Sequence, residues 1–373
     1  MTDVFAIAHL LIDHAITHYG AEVDLIGYYG SHARGEARAD SDLDIFYIPA
    51  EGKQPPIART FLLDGLLFDF WAIPWATMAG FATGHSRGWA FAPALVQQTQ
   101  VLYARSVAQA ERFAQLQQQV FDLQQPAARP AMLKRALAAY PRVTVQVENM
   151  RLAAATGDLT AVRYAGWQVV QGVWECLALA NQLFFARGLA KSLSEADKFE
   201  HRPADLAQLI ATITTAPTAS HVLQASETLA HATRQVLQGL QATVPVTTSI
   251  QEQFRQVYPE MRDLVGKLLA ACAQGDQQTA AAHAWLLQTD VTMMLSQSTT
   301  DVVDSNFNLY NEFATHYRER GFPDLIQAAA GDLTALERQA RRFDETLRQF
   351  LATQGVALCE FHTVAELTQF LAE

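Results

Sequence analysis

Residues 30–44 read GSHARGEARADSDLD, and they place two aspartates, Asp42 and Asp44, two residues apart within an apolar strand. The neighbouring residues are Leu43 and the run IFYI at 45–48. Alternate residues of a strand face the same side, so the two carboxylates share a face about 6.6 Å apart. Like charges on a half-buried strand repel each other and raise each other's proton affinity unless a cation neutralises them. A divalent metal ion is the simplest explanation for the pair.

The composition describes a folded protein with an acidic balance. The chain has 373 residues, half of them hydrophobic, which is enough for a large core and for two or three domains. The net charge is −11, and no cluster of Lys and Arg with interleaved aromatic residues is present, so a nucleic-acid partner is disfavoured. The acidic excess suits a cationic small substrate, although solubility alone accounts for it equally well.

The cysteines and the first residues indicate a cytoplasmic protein. Cys176, Cys272 and Cys359 are odd in number and form no CxxC pair, which favours a reducing compartment over a disulfide framework or a zinc site. The first 20 residues lack the basic start of a signal peptide and predict an amphipathic helix. No apolar run reaches 18 residues, so we expect no membrane span and no membrane partner.

The first 110 residues predict an α+β domain with a mixed sheet. Apolar, β-rich runs bounded by Gly and Pro predict strands over 23–30, 43–50 and 99–105, with one or two more over 60–74. We expect 75–98 to be helical or irregular and 107–124 to form a helix. The strand at 99–105 is predicted to lie at an edge of the sheet.

The remainder of the chain predicts an all-α helical-bundle region. QPAARP at 125–130 marks a boundary, after which Ala, Leu and Gln recur at helical spacing. The β-branched stretch TVPVTTS at 243–249 marks a second, softer boundary. The predicted bundles therefore cover 126–244 and 246–373.

Three Gly-Asp pairs, at 157–158, 275–276 and 331–332, predict joints between helices. A glycine just after a helix can take the left-handed conformation, and the following aspartate can accept hydrogen bonds from the free N–H groups of the next helix. The pairs are therefore interpreted as structural.

Gly30, Ser31 and Arg34 form a candidate phosphate site directly after the strand at 23–30. A glycine lets a phosphate approach the backbone, and the free N–H groups of a helix beginning here would favour an anion. The Ser31 hydroxyl adds a donor, and Arg34 offers a planar fork to phosphate oxygens.

Asp69 is the candidate third carboxylate. It interrupts the apolar strand GLLFDFWAI, where an unpaired acid would be costly to bury. Phosphoryl chemistry with two metal ions uses a further acid on a strand adjacent to the first pair, where it positions or activates the incoming hydroxyl.

Gly-Ser, Arg-Gly, Ser-Asp-x-Asp and a distant strand acid together resemble the signature of the DNA polymerase beta-like nucleotidyltransferase superfamily. The resemblance is dense over 27–48, extends over about the first 200 residues and fades beyond them. Among the branches, the chain is most similar to kanamycin nucleotidyltransferase, in which a compact catalytic domain precedes a helical bundle.

The resemblance implies a role for each candidate residue. Asp42 and Asp44 would bind Mg²⁺, and Asp69 would complete the metal-binding acids and serve in catalysis. Gly30, Ser31 and Arg34 would hold the triphosphate of a nucleoside triphosphate (NTP), with ATP as the expected co-substrate.

A glutamate on an early bundle helix is the general base in this branch. The region VTVQVENMRLAAATGDLTAV at 143–162 resembles that helix, which places Glu148 at the position of the base with Arg151 on the same face. Glu175 is the competing candidate. A lone glutamate on a helix is also typical of a solvated surface residue.

The predicted function is transfer of a nucleoside monophosphate from an NTP to a hydroxyl of a small, aminoglycoside-like molecule. One alternative is a protein hydroxyl as acceptor, as in the nucleotidyltransferases of toxin-antitoxin pairs. Another is a nucleotide-binding regulator without transfer activity. The aromatic stretch at 306–325 suits core packing, which we favour, but also an acceptor pocket or a homodimer interface.

Overall fold

The computed structural model describes residues 3–38, 41–246, 249–300 and 302–372. The chain divides into two compact units, Met1–Gly239 and Leu240–Glu373. Across the described ranges, none of the helices combines the length and the hydropathy of a membrane-spanning segment.

The first unit opens with a five-stranded mixed sheet in the order β3-β4-β2-β1-β5. The pairing of β2 with β4 is parallel, and the other three pairings are antiparallel. This sheet confirms the predicted α+β class, and β5 lies at an edge as expected. The strands are β1 Val23–Tyr29, β2 Leu43–Pro49, β3 Arg59–Leu63, β4 Leu66–Ala72 and β5 Gln100–Ala104.

Helices cover both faces of the sheet, which explains why its central strands are apolar on both sides. On one face, Ile45 and Tyr47 join the core formed with the first helix. On the other face, the Phe46 ring lies 6.3 Å from the ring of Phe113 in the fourth helix. Even-numbered residues of β2 therefore point towards the fourth helix. The helices are α1 Val4–Tyr19, α2 Trp75–Thr83, α3 Ala92–Gln97 and α4 Val107–Leu123.

The rest of the first unit is helical and is organised around one buried helix, α7. Most of the side chains of α7 are buried, Val169, Val173 and Trp174 among them, because α5, α6 and α9 all pack against it. The helices are α5 Arg129–Ala139, α6 Pro141–Ala155, α7 Leu159–Ala180, α8 Ser192–Glu195, α9 Leu206–Thr215 and α10 Ala219–Gln241.

The second unit is an all-α bundle with its own core, which fits the predicted helical-bundle region. Tyr258, Leu287 and Phe343 are fully buried in it, one from each of its three long helices. In the aromatic stretch at 306–325, Phe313 and Tyr317 are buried. The helices are α11 Ile250–Gln274, α12 Gln277–Gln297, α13 Tyr310–Phe313, α14 Thr315–Glu319, α15 Leu325–Ala329, α16 Leu333–Thr353 and α17 Val364–Ala372.

The Gly-Asp joints follow the prediction with one exception. All three aspartates accept a backbone N–H at the start of the following helix. Gly157 and Gly275 are left-handed, with φ of 75° and 72°. Gly331 has no positive φ, so its predicted left-handed role was wrong. Its N–H donates to the Ala328 carbonyl at 3.0 Å, which closes a right-handed turn instead.

Candidate active site

Asp44 and Asp69 face each other across the parallel pair of strands β2 and β4, where they are register partners. Both lie on the sheet face that carries Phe46, because side chains alternate along each strand. Asp42 lies one residue before β2, so the prediction that it lies within the strand was wrong. The two strands nevertheless bring the predicted third acid beside the first pair.

The charges of Asp42 and Asp69 act on Asp44. Burial raises the pKa of Asp44 to about 6, and the negative charges of Asp42 and Asp69 contribute to this shift, while Arg34 opposes it. Ionisation of Asp44 is therefore less favourable in the metal-free protein than ionisation of an ordinary aspartate. A cation placed among these carboxylates would remove the repulsion.

Tyr29 and Thr60 belong to the same cluster, and sequence reasoning missed both. Tyr29 ends β1 opposite Asp44, and burial together with the charges of Asp44 and Asp69 raises the pKa of its phenol. The Thr60 hydroxyl donates to Asp69 Oδ1 at 2.7 Å from strand β3. Tyr29 is adjacent to the Gly-Ser pair in sequence, but nothing in the sequence marks Thr60.

Gly30 brings the backbone against Asp44. It has a φ of +83°, and a Cβ at this position would lie 2.6 Å from Asp44 Oδ2. The helix expected from Ser31 onwards is absent, because left-handed Gly35, with φ +69°, ends a single turn. The turn is closed by the Glu36 N–H donating to the Ser31 carbonyl at 2.9 Å.

Arg34 holds this turn in place. Its Nη1 donates to Gln98 Oε1 and to the Ala186 carbonyl, both at 2.9 Å, and its Nε donates to Glu36 at 3.1 Å. The guanidinium is thus largely engaged by protein groups, although its charge still reaches Asp44.

Arg187 is a further cation at this site, and the sequence carries no signal for it. It makes two hydrogen bonds to the Glu36 carboxylate, at 2.6 and 3.0 Å. Hydrogen bonds from Arg187 and Arg34 lower the pKa of Glu36 to about 2. The carboxylate of Glu36 therefore joins two guanidinium groups that are distant in sequence.

A cavity of about 330 Å³ brings most of the predicted residues together. Arg187 and Phe185 also line it, and neither Asp69 nor Glu148 does. The predicted residues that line this first cavity are Gly30, Ser31, Arg34, Asp42 and Asp44.

The acids suit Mg²⁺ by donor type. Within the part of the chain that the structure describes, no three His, Cys, Asp or Glu side chains are already gathered as a metal cluster. Mg²⁺ is usually held by one or two carboxylates with waters and substrate phosphates, not by an all-protein cage. Asp42 and Asp44 supply such oxygens, and the space kept free by Gly30 lies beside them.

The two candidate general bases of the helical region have different surroundings. Glu148, on α6, is 59% exposed and pairs with Arg151 at 3.2 Å. Glu175, on α7, accepts the N–H groups of Trp89 and Ala90 at 2.8 and 2.9 Å. Glu175 lines a second cavity, of about 600 Å³, and Glu148 does not.

Residues 110–243 match the sequence model of the family described as the KNTase C-terminal domain. No curated protein matches the chain significantly. Among solved structures, the chain is similar to a nucleotidyltransferase-like protein from Exiguobacterium sibiricum 255-15, with a TM-score of 0.40 and 10% sequence identity. That similarity covers 69% of this chain and 80% of that chain.

Proposed function

We propose that this chain is a kanamycin nucleotidyltransferase-like nucleotidyltransferase and that it moves a nucleoside monophosphate from an NTP to a hydroxyl of a small molecule in a Mg²⁺-dependent reaction. ATP is the first NTP to test. The observation that carries the proposal is the register of Asp44 with Asp69, beside Asp42 and the turn that begins at Gly30.

In the proposed reaction, the first cavity holds the triphosphate. Gly30 and Ser31 allow phosphate oxygens to approach the backbone, and the charges of Arg34 and Arg187 favour an anion there. Asp42 and Asp44, with Asp69 beside them, would hold Mg²⁺. When bound, this ion would polarise the α-phosphate and neutralise charge on the departing pyrophosphate.

In the proposed reaction, Asp69 accepts the proton of the acceptor hydroxyl. Its Oδ1 accepts the Thr60 hydroxyl at 2.7 Å, which orients the carboxylate. The acceptor oxygen forms a bond to the α-phosphorus, the bond to the bridging oxygen breaks, and pyrophosphate leaves with the electron pair. Glu148 is the second candidate for this proton transfer.

An aminoglycoside-like acceptor is the class that the acidic chain and the family resemblance favour. A protein hydroxyl is the second candidate, and a nucleotide-binding regulator without transfer is the third. Labelled nucleotide on a polypeptide would identify the second. Triphosphate binding without pyrophosphate release from any acceptor would identify the third. We also propose that the protein is cytoplasmic and that it forms a homodimer.

Pyrophosphate release tests the mechanism. We expect the double variant Asp42→Ala, Asp44→Ala to lose release across a panel of nucleotides and acceptors while its circular dichroism is unchanged. Asp13→Ala with Asp122→Ala is the control, because it removes two exposed carboxylates from α1 and α4. Undiminished release in the Asp42, Asp44 variant would disprove the assignment.

A further inference from the structure

The second cavity, of about 600 Å³, lies between the segment after α2 and the helices α6 and α7. Five residues of the segment 85–91 line it on one side, with His85, Arg87 and Phe91 among them. Arg142 and Gln168 are among the residues on the other side. A cleft of this size between the sheet-bearing segment and a helical layer has the dimensions of a small-molecule site.

Among the described residues that line the second cavity, Glu175 is the only carboxylate. Both of its oxygens accept backbone N–H groups. Arg135 adds a compensating charge: burial lowers the pKa of Arg135 and the charge of Glu175 opposes that shift. The carboxylate is therefore held by backbone hydrogen bonds, and the charge of Arg135 partly offsets its own.

Two arginines leave the second cavity with positive charge. Within the described part of the chain, neither Arg87 nor Arg142 forms a hydrogen bond or an ion pair through its side chain. The Arg87 guanidinium contacts only aromatic rings there, those of Trp71 and Phe81, each at 5.6 Å from the ring centroid. Arg87 also adopts a φ of 62°, a conformation that is strained for a residue with a Cβ. Residues in sparsely populated backbone conformations cluster at active and ligand-binding sites; Asp64 and Gln182 are the other described non-glycine residues with a positive φ.

The second cavity adjoins the acid cluster. The Arg87 guanidinium lies 5.6 Å from the centroid of the Trp71 ring, and Trp71 follows Asp69 by two residues on β4. The charge of Arg87 reaches Tyr29, which is coupled to Asp44 and Asp69. Phe91 lines both cavities. A ligand here would therefore lie next to the first cavity, in which the triphosphate is proposed to bind.

We propose that the second cavity binds the acceptor and that the acceptor is an anionic polyhydroxy compound, such as a sugar phosphate or a sugar acid. Arg87 and Arg142 bind the anionic group. Side-chain amides, which can both donate and accept, bind the hydroxyls; they belong to Gln146, Gln168 and Gln171. This inference rests on the proposed function and replaces its aminoglycoside-like acceptor, because the unpaired guanidinium groups would repel a polycation.

Calorimetric titration without nucleotide tests the charge preference. The probes share one ring: glucose 6-phosphate and glucuronate are anionic, glucose is neutral and glucosamine is cationic. We expect the wild type to bind one or both anions at least tenfold more tightly than glucose or glucosamine. The two anions separate a phosphate preference from a carboxylate preference. Equal binding of the four probes, tighter binding of glucosamine, or no binding of either anion would overturn the proposal.

Three variants locate the binding site. Arg142→Gln and Arg87→Gly should each weaken binding of the preferred anion at least tenfold and leave ATP affinity unchanged. Arg87→Gly should fold, because glycine relieves the positive φ. Lys134→Gln removes a positive charge from an exposed position of α5 outside the cavity lining and should bind like the wild type. Unchanged anion binding in both arginine variants would show that the second cavity does not hold the anion and would overturn the proposal.

Failure of this inference can be told apart from failure of the proposed function. Pyrophosphate release with cationic acceptors only would contradict the anionic acceptor and leave nucleotidyl transfer intact. Anion binding that depends on Arg87 and Arg142, without pyrophosphate release from any acceptor, would leave the second cavity as a binding site and contradict the transfer reaction.

Discussion

At the scale of the residue, metal binding by Asp44 and the surroundings of its carboxylate favour opposite protonation states. Its position between Gly30 and Asp69 suits a metal ligand, which must be ionised. Burial and two neighbouring acids disfavour that ionised form. The metal-free protein is therefore less stable than the same fold without the charge, a cost that active sites commonly carry.

Asp44→Asn should stabilise the protein in EDTA at pH 8. The pKa of Asp44 is about 6 in the folded state, against an ordinary value of 3.8 for an aspartate, so the folded state binds more protons between those values. The destabilisation by ionised Asp44 is complete above pH 6, shrinks as the pH falls through 6, and is absent below about pH 4. We expect a gain on the order of 1–3 kcal/mol at pH 8, by chemical denaturation. Asp13→Asn is the control, and the absence of a gain at pH 8 would contradict the electrostatic description.

Asp69→Asn and Glu148→Gln distinguish the two candidate bases. Asp69 faces Asp44, so its loss should reduce kcat at least about 100-fold with the KM for ATP little changed. Glu148 is exposed and paired with Arg151, an arrangement of small energetic value, so kcat in Glu148→Gln should stay within about threefold. Steady-state pyrophosphate release measures both. The opposite ranking would assign the proton transfer to Glu148.

At the scale of the element, the turn between β1 and β2 joins the sheet to the active site. Gly30 and Gly35 are both left-handed, but only Gly30 faces a neighbour, the Asp44 carboxylate. A Cβ at Gly35 would meet nothing within 4 Å. A Gly→Ala substitution at Gly35 should therefore add backbone strain alone, whereas the same substitution at Gly30 should also displace Asp44.

Gly30→Ala should abolish transfer, and Gly35→Ala should mainly lower stability. Both variants acquire the strain of a positive φ, about 1 kcal/mol. Only Gly30→Ala also moves Asp44. We expect equal or greater destabilisation in Gly30→Ala, with Mg²⁺-dependent ATP binding at least tenfold weaker than in Gly35→Ala. Thermal unfolding and ATP titration report the two effects, and equal ATP affinities would show that Asp44 tolerates the displacement.

The strands could be predicted from the sequence because Gly, Pro and apolar runs mark them locally. β1 and β2 lie within one residue of the predicted ranges, and α4 begins at the predicted Val107. The helix predicted after Gly30 was wrong. Nothing in the sequence shows that Gly35 would end the turn, but its left-handed backbone conformation does so in the structure. Local residues thus predict where elements lie better than how each one ends.

The contacts that complete the site were beyond local reasoning. Thr60 reaches Asp69 across a strand pair, and Arg187 reaches Glu36 over 151 residues of sequence. Asp44 and Asp69 could be singled out because an acid in an apolar strand is costly to bury without a partner, whereas Asp42 was singled out through its spacing from Asp44. A threonine or an arginine in a polar segment carries no such cost, so its role emerges only from the tertiary structure.

At the scale of the whole molecule, each unit has a hydrophobic core of its own. The apolar content and helical spacing predicted a helical second half, and the buried faces of α11, α12 and α16 realise it. The composition did not reveal which helix would be central in the first unit. α7 is the central helix, since nearly all residues from Val169 to Ala180 are buried. Glu175, a polar residue within this run, contacts the segment after α2.

The net charge of −11 should repel an anionic nucleotide, whereas the local cations at the first cavity should attract it. The Debye length falls from about 30 Å at 0.01 M salt to about 8 Å at 0.15 M. Repulsion by the whole chain is long-range and is screened by this change, whereas attraction by Arg34 and Arg187 acts at short range. We expect the association rate of a fluorescent ATP analogue, followed by stopped flow, to rise by up to about tenfold over this range of salt.

Sucrose at matched viscosity is the control for that experiment, since it changes diffusion without screening charge. Glu36→Gln offers a second comparison, because it removes the carboxylate shared by Arg34 and Arg187 and leaves their charges uncompensated. In this variant the local field is stronger, so the rise with salt should be smaller than in the wild type. An association rate that falls with salt in the wild type would mean that the cations of the first cavity dominate the approach, and that the acidic surface does not govern access to the site.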